Sequence, residues 1–300
     1  MAADYPRNRR EFDAMFATEE LCVTYLGRIR WANGFECHKC GGAKAWTLSR
    51  RVFECSGCGA QRSPTEGTLL HRTRYPLRTW FDAAWRVCEQ KNGLSALGLQ
   101  RAMGFGSYHT AWEWLHRMRR AMVLPGRAKL TGEVEIDETF IGGAKPGRRG
   151  RGALGKTLVF VAVEVRGTVI GRTRLQVMPD AKAATLLDAA QDMVERGSNV
   201  VTDGLSSYAG LPGRGFKHTI SRHTPATGDN LLPKAHRVIA LLKRWLLGTH
   251  QGAFDHDRLQ VYLDEFVFRF NRRTSASRGL LFHRLISQCV EHRPIASKSI

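Results

Sequence analysis

Two aspartates and four cysteines stand where this chain could do chemistry. Asp137 lies in the run GEVEIDETFIGG, residues 132–143. Side chains alternate along a strand, so Glu133, Glu135 and Asp137 share one face, and Val134 and Ile136 take the other. The pattern predicts a short strand that delivers Asp137 to its end, with Gly142 and Gly143 turning the chain beyond it. Acids at a strand end beside a polar cleft can hold a metal, although the same pattern also suits a surface strand of a basic protein. Asp203 ends a second short apolar run, Asn199-Val200-Val201-Thr202, and is followed by Gly204, Ser206, Ser207 and Tyr208.

The cysteines make the sharper motif. Cys37-x-x-Cys40 precedes Gly41-Gly42, and Cys55-x-x-Cys58 precedes Gly59. Each pair forms a tight knuckle, and glycine after the second cysteine permits the turn. Two knuckles supply four thiolates, the tetrahedral set that structural zinc prefers. Between them, Trp46–Phe53 reads as a hairpin with Trp46, Leu48, Val52 and Phe53 as its apolar cover. A module this small buries too little surface to fold alone, so zinc is expected to be a folding requirement. An iron–sulfur cluster or redox thiols are the other uses of such spacing. His38, inside a knuckle, is not needed as a ligand and is expected to face solvent or DNA. Cys88 and Cys289 fall on apolar helical stripes and are expected in cores.

Composition narrows the partner. The chain has 300 residues, 46 Lys+Arg against 27 Asp+Glu, and a formal net charge of +19. An excess this large, spread along the whole length, points to a polyanion, nucleic acid first. An apolar share of 43% fits packed cores rather than disorder. No run of eighteen apolar residues occurs, and the opening residues lack the apolar stretch of a secretory signal. Seven cysteines with four clustered suit a reducing compartment. A cytoplasmic, nucleoid-associated protein of bacterial or archaeal type is expected.

The elements that must position these residues follow in order. A helix is expected from Phe12 to about Arg30, then the ribbon, so that residues 1–70 form one segment. Residues 71–130 read as helical. Pro76 opens a helix to Glu89, a short helix runs Ser95–Met103, and Gly104-Phe105-Gly106 breaks it. Ser107 then caps a helix reaching Arg119 and Arg120. Helix, glycine turn, helix is the helix-turn-helix layout, whose second helix reads DNA. Its expected polar face is His109, Glu113, His116, Arg117 and Arg120. Simple helical packing is the alternative. Leu124-Pro125-Gly126 reads as a linker.

Residues 131–300 are expected to be the catalytic domain. The strand bearing Asp137 is followed by an arginine-rich excursion. Within it Gly150–Thr157 satisfies the phosphate-loop pattern GxxxxGKT. That reading fails because a strand, not a helix, follows at Thr157–Val165. The excursion reads instead as a basic loop, 145–156, whose Arg148, Arg149, Arg151 and Lys156 touch phosphate backbone. Strands at 158–165 and 168–177, a helix at Ala181–Glu195 and the strand ending at Asp203 complete the ribonuclease-H-like order, in which the first and fourth strands are neighbours. That topology brings Asp137 and Asp203 together, and paired carboxylates repel unless cations lie between them. Two magnesium ions could bridge them and a phosphate. Phe216–Ile220 reads as a last strand. Pro233 opens a helix that places His236 and Lys243, seven residues apart, on one face. Helices from Asp255 or His256 and over Leu280–Val290 close the chain. The fold class is thus α+β multidomain: a zinc ribbon, a helix-turn-helix-like region, and a ribonuclease-H-like α/β domain with a mixed sheet.

Asp137-Glu138-Thr139, Asp203-Gly204, LLKRWLLGTHQG and YLDEFVFRFNRR, with the tetracysteine ribbon and SALGLQRAMGFGSYHTAWEWLHRMR, together resemble insertion-sequence transposases with an N-terminal zinc ribbon and a DDE-type catalytic domain. The resemblance spans about Phe12 to Val290. It implies metal-dependent cleavage at the ends of a mobile element and strand transfer into target DNA by an oligomer, at least a dimer. It implies a magnesium or manganese site in which Asp137 matches the first acid and Asp203 the second. The third residue of the family is Glu or Asn, followed two turns later by Lys. Here His236 stands at the third position and Lys243 matches the lysine. Asp229, Asp264 and Glu265 are other acids that could take the third role, but Asp264 and Glu265 read more simply as outer-face residues or salt-bridge partners.

Overall fold

A computed structural model describes residues 5–48, 52–124, 126–142, 156–223, 230–252 and 256–295. The chain divides into two compact units. One takes the described residues up to 124 with those from 274 onward, and the other runs between them.

The first unit begins with two helices where one was expected, α1 (Arg9–Met15) and α2 (Glu19–Arg30). Thr18 breaks the run because its hydroxyl accepts from the Leu21 N–H and caps α2. Glu19 is used elsewhere: its carboxylate accepts from the N–H groups of Leu77 and Arg78, at 2.7 and 3.0 Å. The ribbon follows as β1 (Ala45–Leu48), β2 (Val52–Cys55) and β3 (Gln61–Arg62), an antiparallel sheet in that order. Its apolar cover differs from expectation, since Trp46 is 57% exposed. Phe53 instead meets Trp31 and Phe35, with ring centroids 4.8 and 6.4 Å away. Gly27 makes room for this on α2, where an added Cβ would lie 2.5 Å from the Phe53 ring.

Next come α3 (Leu77–Glu89), α4 (Ala96–Met103) and α5 (Tyr108–Ala121). Ser95 caps α4, Gly104 ends it in the left-handed region at φ 66°, and Ser107 caps α5. The helix–turn–helix order therefore forms where the turn residues place it.

The second unit is a five-stranded sheet: β4 (Glu133–Ile141), β5 (Thr157–Arg166), β6 (Val169–Met178), β7 (Asn199–Thr202) and β8 (Lys217–Ile220). Its order is β6-β5-β4-β7-β8. The first three strands pair antiparallel, and β4–β7 and β7–β8 pair parallel. Helix α6 (Ala183–Met193) covers one face, against Val134, Ile136, Phe160 and Val200. It starts two residues later than expected, because the Asp180 carboxylate accepts from the Lys182 N–H just before it and from the Thr185 hydroxyl in its first turn. Helices α7 (Pro233–His250) and α8 (Leu259–Phe270) cover the other face, against Ile141, Val159, Val161 and Val163. Both faces of β5 are buried, which explains its unbroken apolar run.

The closing helix α9 (Arg278–Glu291), expected with the sheet, instead packs on α2, α3 and α5 in the first unit. Phe282 is fully buried there among Phe12, Phe16, Phe81 and Trp85. Gly279 is required at this contact, since a Cβ would fall 1.5 Å from the Pro6 carbonyl oxygen. Among the described residues no helix is long and apolar enough to cross a membrane.

Candidate metal centres and nucleic-acid surface

The sulfurs of Cys37, Cys40, Cys55 and Cys58 all lie within 4.8 Å of one another. Cys37 and Cys58 are 3.6 Å apart, as are Cys40 and Cys55. Four sulfurs around a zinc at about 2.3 Å stand about 3.8 Å apart, so this quartet fits tetrahedral zinc. Backbone N–H groups of Lys39 and Gly57 point at Cys37 and Cys55 Sγ, each at 3.4 Å, and stabilise thiolate. Gly42 leaves the space: a Cβ there would press on Cys55 and Cys40 Sγ at 3.2 and 3.3 Å. His38 is exposed beside the quartet and is not one of its members. The four cysteines form a structural metal site.

The second constellation is built by the sheet. The parallel ladder pairs Glu133 with Asn199 and Glu135 with Val201. Carried on by two residues, that register sets Asp137 level with Asp203 and on the same face. Asp137 does not end its strand as expected. β4 continues to Ile141, paired with β5 throughout, while β7 stops at Thr202. β7 thus leaves β4 before the level of Asp137 is reached.

The Asp137 carboxylate accepts from the Glu138 N–H at 2.8 Å, and its Oδ2 lies 3.3 Å from His236 Nε2. Burial, then the nearby Asp203 charge, push the Asp137 carboxyl up. The Glu138 N–H, His236 and Lys243 pull it back only in part. Asp203 is exposed, and its Oδ1 accepts from the Leu205 N–H at 3.0 Å. His236 Nδ1 meets Asn230 Oδ1 at 2.6 Å, which orients the ring toward Asp137. Lys243 is exposed two turns further along α7. Two hard carboxylates and an imidazole are a donor set that fits a divalent cation. Their ligand atoms do not close into a cluster as tight as the cysteine quartet.

The acids offered as substitutes are otherwise engaged. Asp264 accepts from Gln260 Nε2 at 2.9 Å. Glu265 is buried rather than on the outer face and pairs with Arg269 at 2.7 Å. Asp229 lies outside the described residues.

The expected DNA-facing positions divide. His109 and Arg120 are exposed on α5. Arg117 is half-covered and paired with Glu113 at 2.6 Å. His116 is 2% exposed and lies against Trp112 in a tilted ring contact at 4.1 Å, so it belongs to the helical core and not to the polar face. The wheel misplaced it because α5 is packed over more of its circumference than a surface helix would be. Lys156 is half-buried at the start of β5. Arg148, Arg149 and Arg151 lie outside the described residues.

Glu135, Glu138 and Tyr208 were named along the chain, but their partners were not read from it. Glu135 is 6% exposed, and its Oε2 accepts from the N–H groups of Lys234 and Ala235 at 2.8 and 2.7 Å. Tyr208 is fully buried, and its hydroxyl donates to Glu138 Oε1. The surplus of acid around Asp137 was the available signal, but nothing in it said which other elements the acids would reach.

The model of the ISXO2-like transposase domain matches residues 129–271, and that of the transposase zinc-ribbon domain matches residues 17–61. No curated protein matches the chain. The first match spans β4 to α8, with Asp137, Asp203 and His236 inside it, and the second contains all four clustered cysteines. The chain belongs to the insertion-sequence transposases that join an N-terminal zinc ribbon to an ISXO2-like DDE domain.

Proposed function

We propose that this chain is an active DNA transposase that hydrolyses a phosphodiester at each end of its element and joins the exposed 3′ hydroxyl to target DNA. The observation that carries the reading is the meeting of Asp137, Asp203 and His236 where β7 leaves β4. These three residues would hold divalent metal, magnesium or manganese. Bound there, the metal supplies Lewis-acid stabilisation of phosphate oxygens and a more acidic attacking water. His236 brings a nitrogen donor with no negative charge, which favours manganese over magnesium relative to an all-carboxylate set. Lys243 would bind phosphate near the cut. The ribbon, with His109, Arg117 and Arg120 of α5, would hold the terminal repeats. The basic run 145–156, including Arg148, Arg149, Arg151 and Lys156, would hold flanking or target DNA. Acting on two ends at one place requires at least a dimer on double-stranded DNA.

The test is strand transfer by the purified protein. A pre-cleaved 3′-hydroxyl end and a supercoiled plasmid are supplied in magnesium and, separately, in manganese. Joined product, greater in manganese and lost in Asp203→Ala, is expected. Cutting of uncleaved ends without joining would instead assign a nuclease of the same fold. Intact end binding with no product in either metal, restored by His236→Glu, would make the chain a DNA-binding protein with an impaired catalytic position.

A further inference from the structure

The strand carrying Asp137 holds more acid than metal binding uses. Glu135 and Glu138 flank Asp137 and leave the sheet on opposite faces. Each reaches an element that carries one of Asp137's two partners. Glu135 accepts from the Lys234 and Ala235 N–H groups at the start of α7, immediately before His236. Glu138 accepts from the buried hydroxyl of Tyr208, five residues after Asp203. The same turn is anchored again by Ser207, whose hydroxyl donates to the Ala181 carbonyl at 2.9 Å.

We propose that Glu135 and Glu138 are positioning residues that lock α7 and the 203–208 turn to β4, and so set His236 and Asp203 around Asp137. The proposal rests on the reading of those three residues as metal ligands. Its physical basis is the first turn of α7. Leu232 gives no side-chain cap, and Pro233 occupies the first turn with no N–H of its own. The next N–H groups are orphans unless something outside the helix accepts them. Glu135 does so from the neighbouring strand, and a carboxylate at a helix N-terminus also meets the favourable end of its dipole. Helix α3 is built in the same way. It follows Pro76, lacks a side-chain cap of its own, and is held by the distant Glu19. On α7 the device fixes more than a helix, because His236 is the next residue after the capped pair.

The experiment uses the full zinc-loaded chain and manganese as the probe. Manganese affinity is measured by electron paramagnetic resonance, and amide exchange at Lys234 and Ala235 is followed by NMR without added manganese. Glu135→Ala is expected to weaken manganese binding about tenfold or more and to speed exchange at both amides. Glu135→Gln, which keeps an acceptor oxygen, is expected to stay within about threefold of wild type. Tyr208→Phe is expected to weaken manganese binding and to leave the two amides protected. Wild-type manganese affinity in Glu135→Ala, with the amides deprotected, would reduce Glu135 to a helix cap and overturn the proposal. Equal losses in Glu135→Gln and Glu135→Ala would also overturn it, since charge rather than the cap would then matter. A wild-type chain that binds no manganese would remove the ligand reading itself, an outcome distinct from both.

Discussion

The ribbon and the sheet each gather metal-type ligands, and they do so in opposite ways. The ribbon closes four sulfurs around one point, with backbone N–H groups aimed at two of them and Gly42 leaving room. The sheet leaves its set open. Asp137 is drawn up by burial and by Asp203, while Asp203 and His236 remain exposed. A third place shows what a satisfied acid looks like in the same sheet. Glu164 on β5 is buried and pairs with Arg172 and Arg166. Burial pushes its carboxyl up, but the Arg172 guanidinium and the Thr131 and Arg172 N–H groups outweigh that and hold it at about 2. The chain supplies Glu164 with a guanidinium counter-charge, whereas at Asp137 the Glu138 N–H, His236 and Lys243 offset only part of the burial and the Asp203 repulsion. A closed set serves folding, and an open one can admit a metal together with a phosphate.

The largest effect should come from opening the closed site. Cys55→Ser, or a strong chelator, should unfold the ribbon, a loss on the order of 10 kcal/mol of metal-coupled folding energy. Proteolysis should then cut within residues 31–62 while the sheet unit stays intact. Preservation of the ribbon in the chelated protein would contradict the contrast.

Removing the built-in counter-charge of Glu164 should be next. Arg172→Met leaves the buried carboxylate only the exposed Arg166 as counter-charge and should cost up to about 3–5 kcal/mol, read by denaturant unfolding of the metal-free chain. The pH dependence has a definite sign. The folded carboxyl sits below its unfolded value, so its stabilisation is complete above about pH 4.5 and is lost as pH falls toward about 2. The amount is about 3 kcal/mol, and Arg172→Met, which keeps the Thr131 and residue-172 N–H groups, should remove a large part of that acid sensitivity. An unchanged acid profile in Arg172→Met would show that the pair is not what holds Glu164 ionised.

Gly27→Ala probes how the ribbon is seated on α2. Its Cβ would force the Phe53 ring aside, at a cost of about 1–3 kcal/mol by overpacking. A wild-type melting temperature would show that the ring moves freely.

The smallest effect should carry the opposite sign. Asp137→Asn removes a partly buried charge beside another acid, so the metal-free chain should gain stability, by less than about 1 kcal/mol, while strand transfer is lost. A clear destabilisation would mean that Asp137 is structural, like Glu164, and the comparison would fail.

Much of this was legible along the chain. The two Cys-x-x-Cys pairs needed no tertiary knowledge, because a knuckle is a local turn and its spacing declares the ligand set. The strand order was legible because β-branched runs, glycine turns and one amphipathic helix leave few ways to wind a sheet. With the order came the pairing of Asp137 and Asp203. The helix–turn–helix followed from Ser95, Gly104 and Ser107, whose capping preferences act within a few residues.

What the tertiary structure alone decided lies between elements distant in sequence. His116 looked polar on its helix and is buried, because a helical wheel shows direction but not how much of the circumference is covered. The closing helix joined the N-terminal helices, since apolar periodicity says that a face must be buried and not against what. Glu135 read only as an acid on the Asp137 face and Glu138 only as part of the Asp137 motif, until Lys234, Ala235 and Tyr208 stood opposite them. Sequence determined the ligand types and the order in which they arrive, because turns, caps and strand patterns are set by near neighbours. Packing decided which donors each acid meets, the α7 amides for Glu135, the Tyr208 hydroxyl for Glu138 and arginine for Glu164, because those donors come from elements distant in sequence.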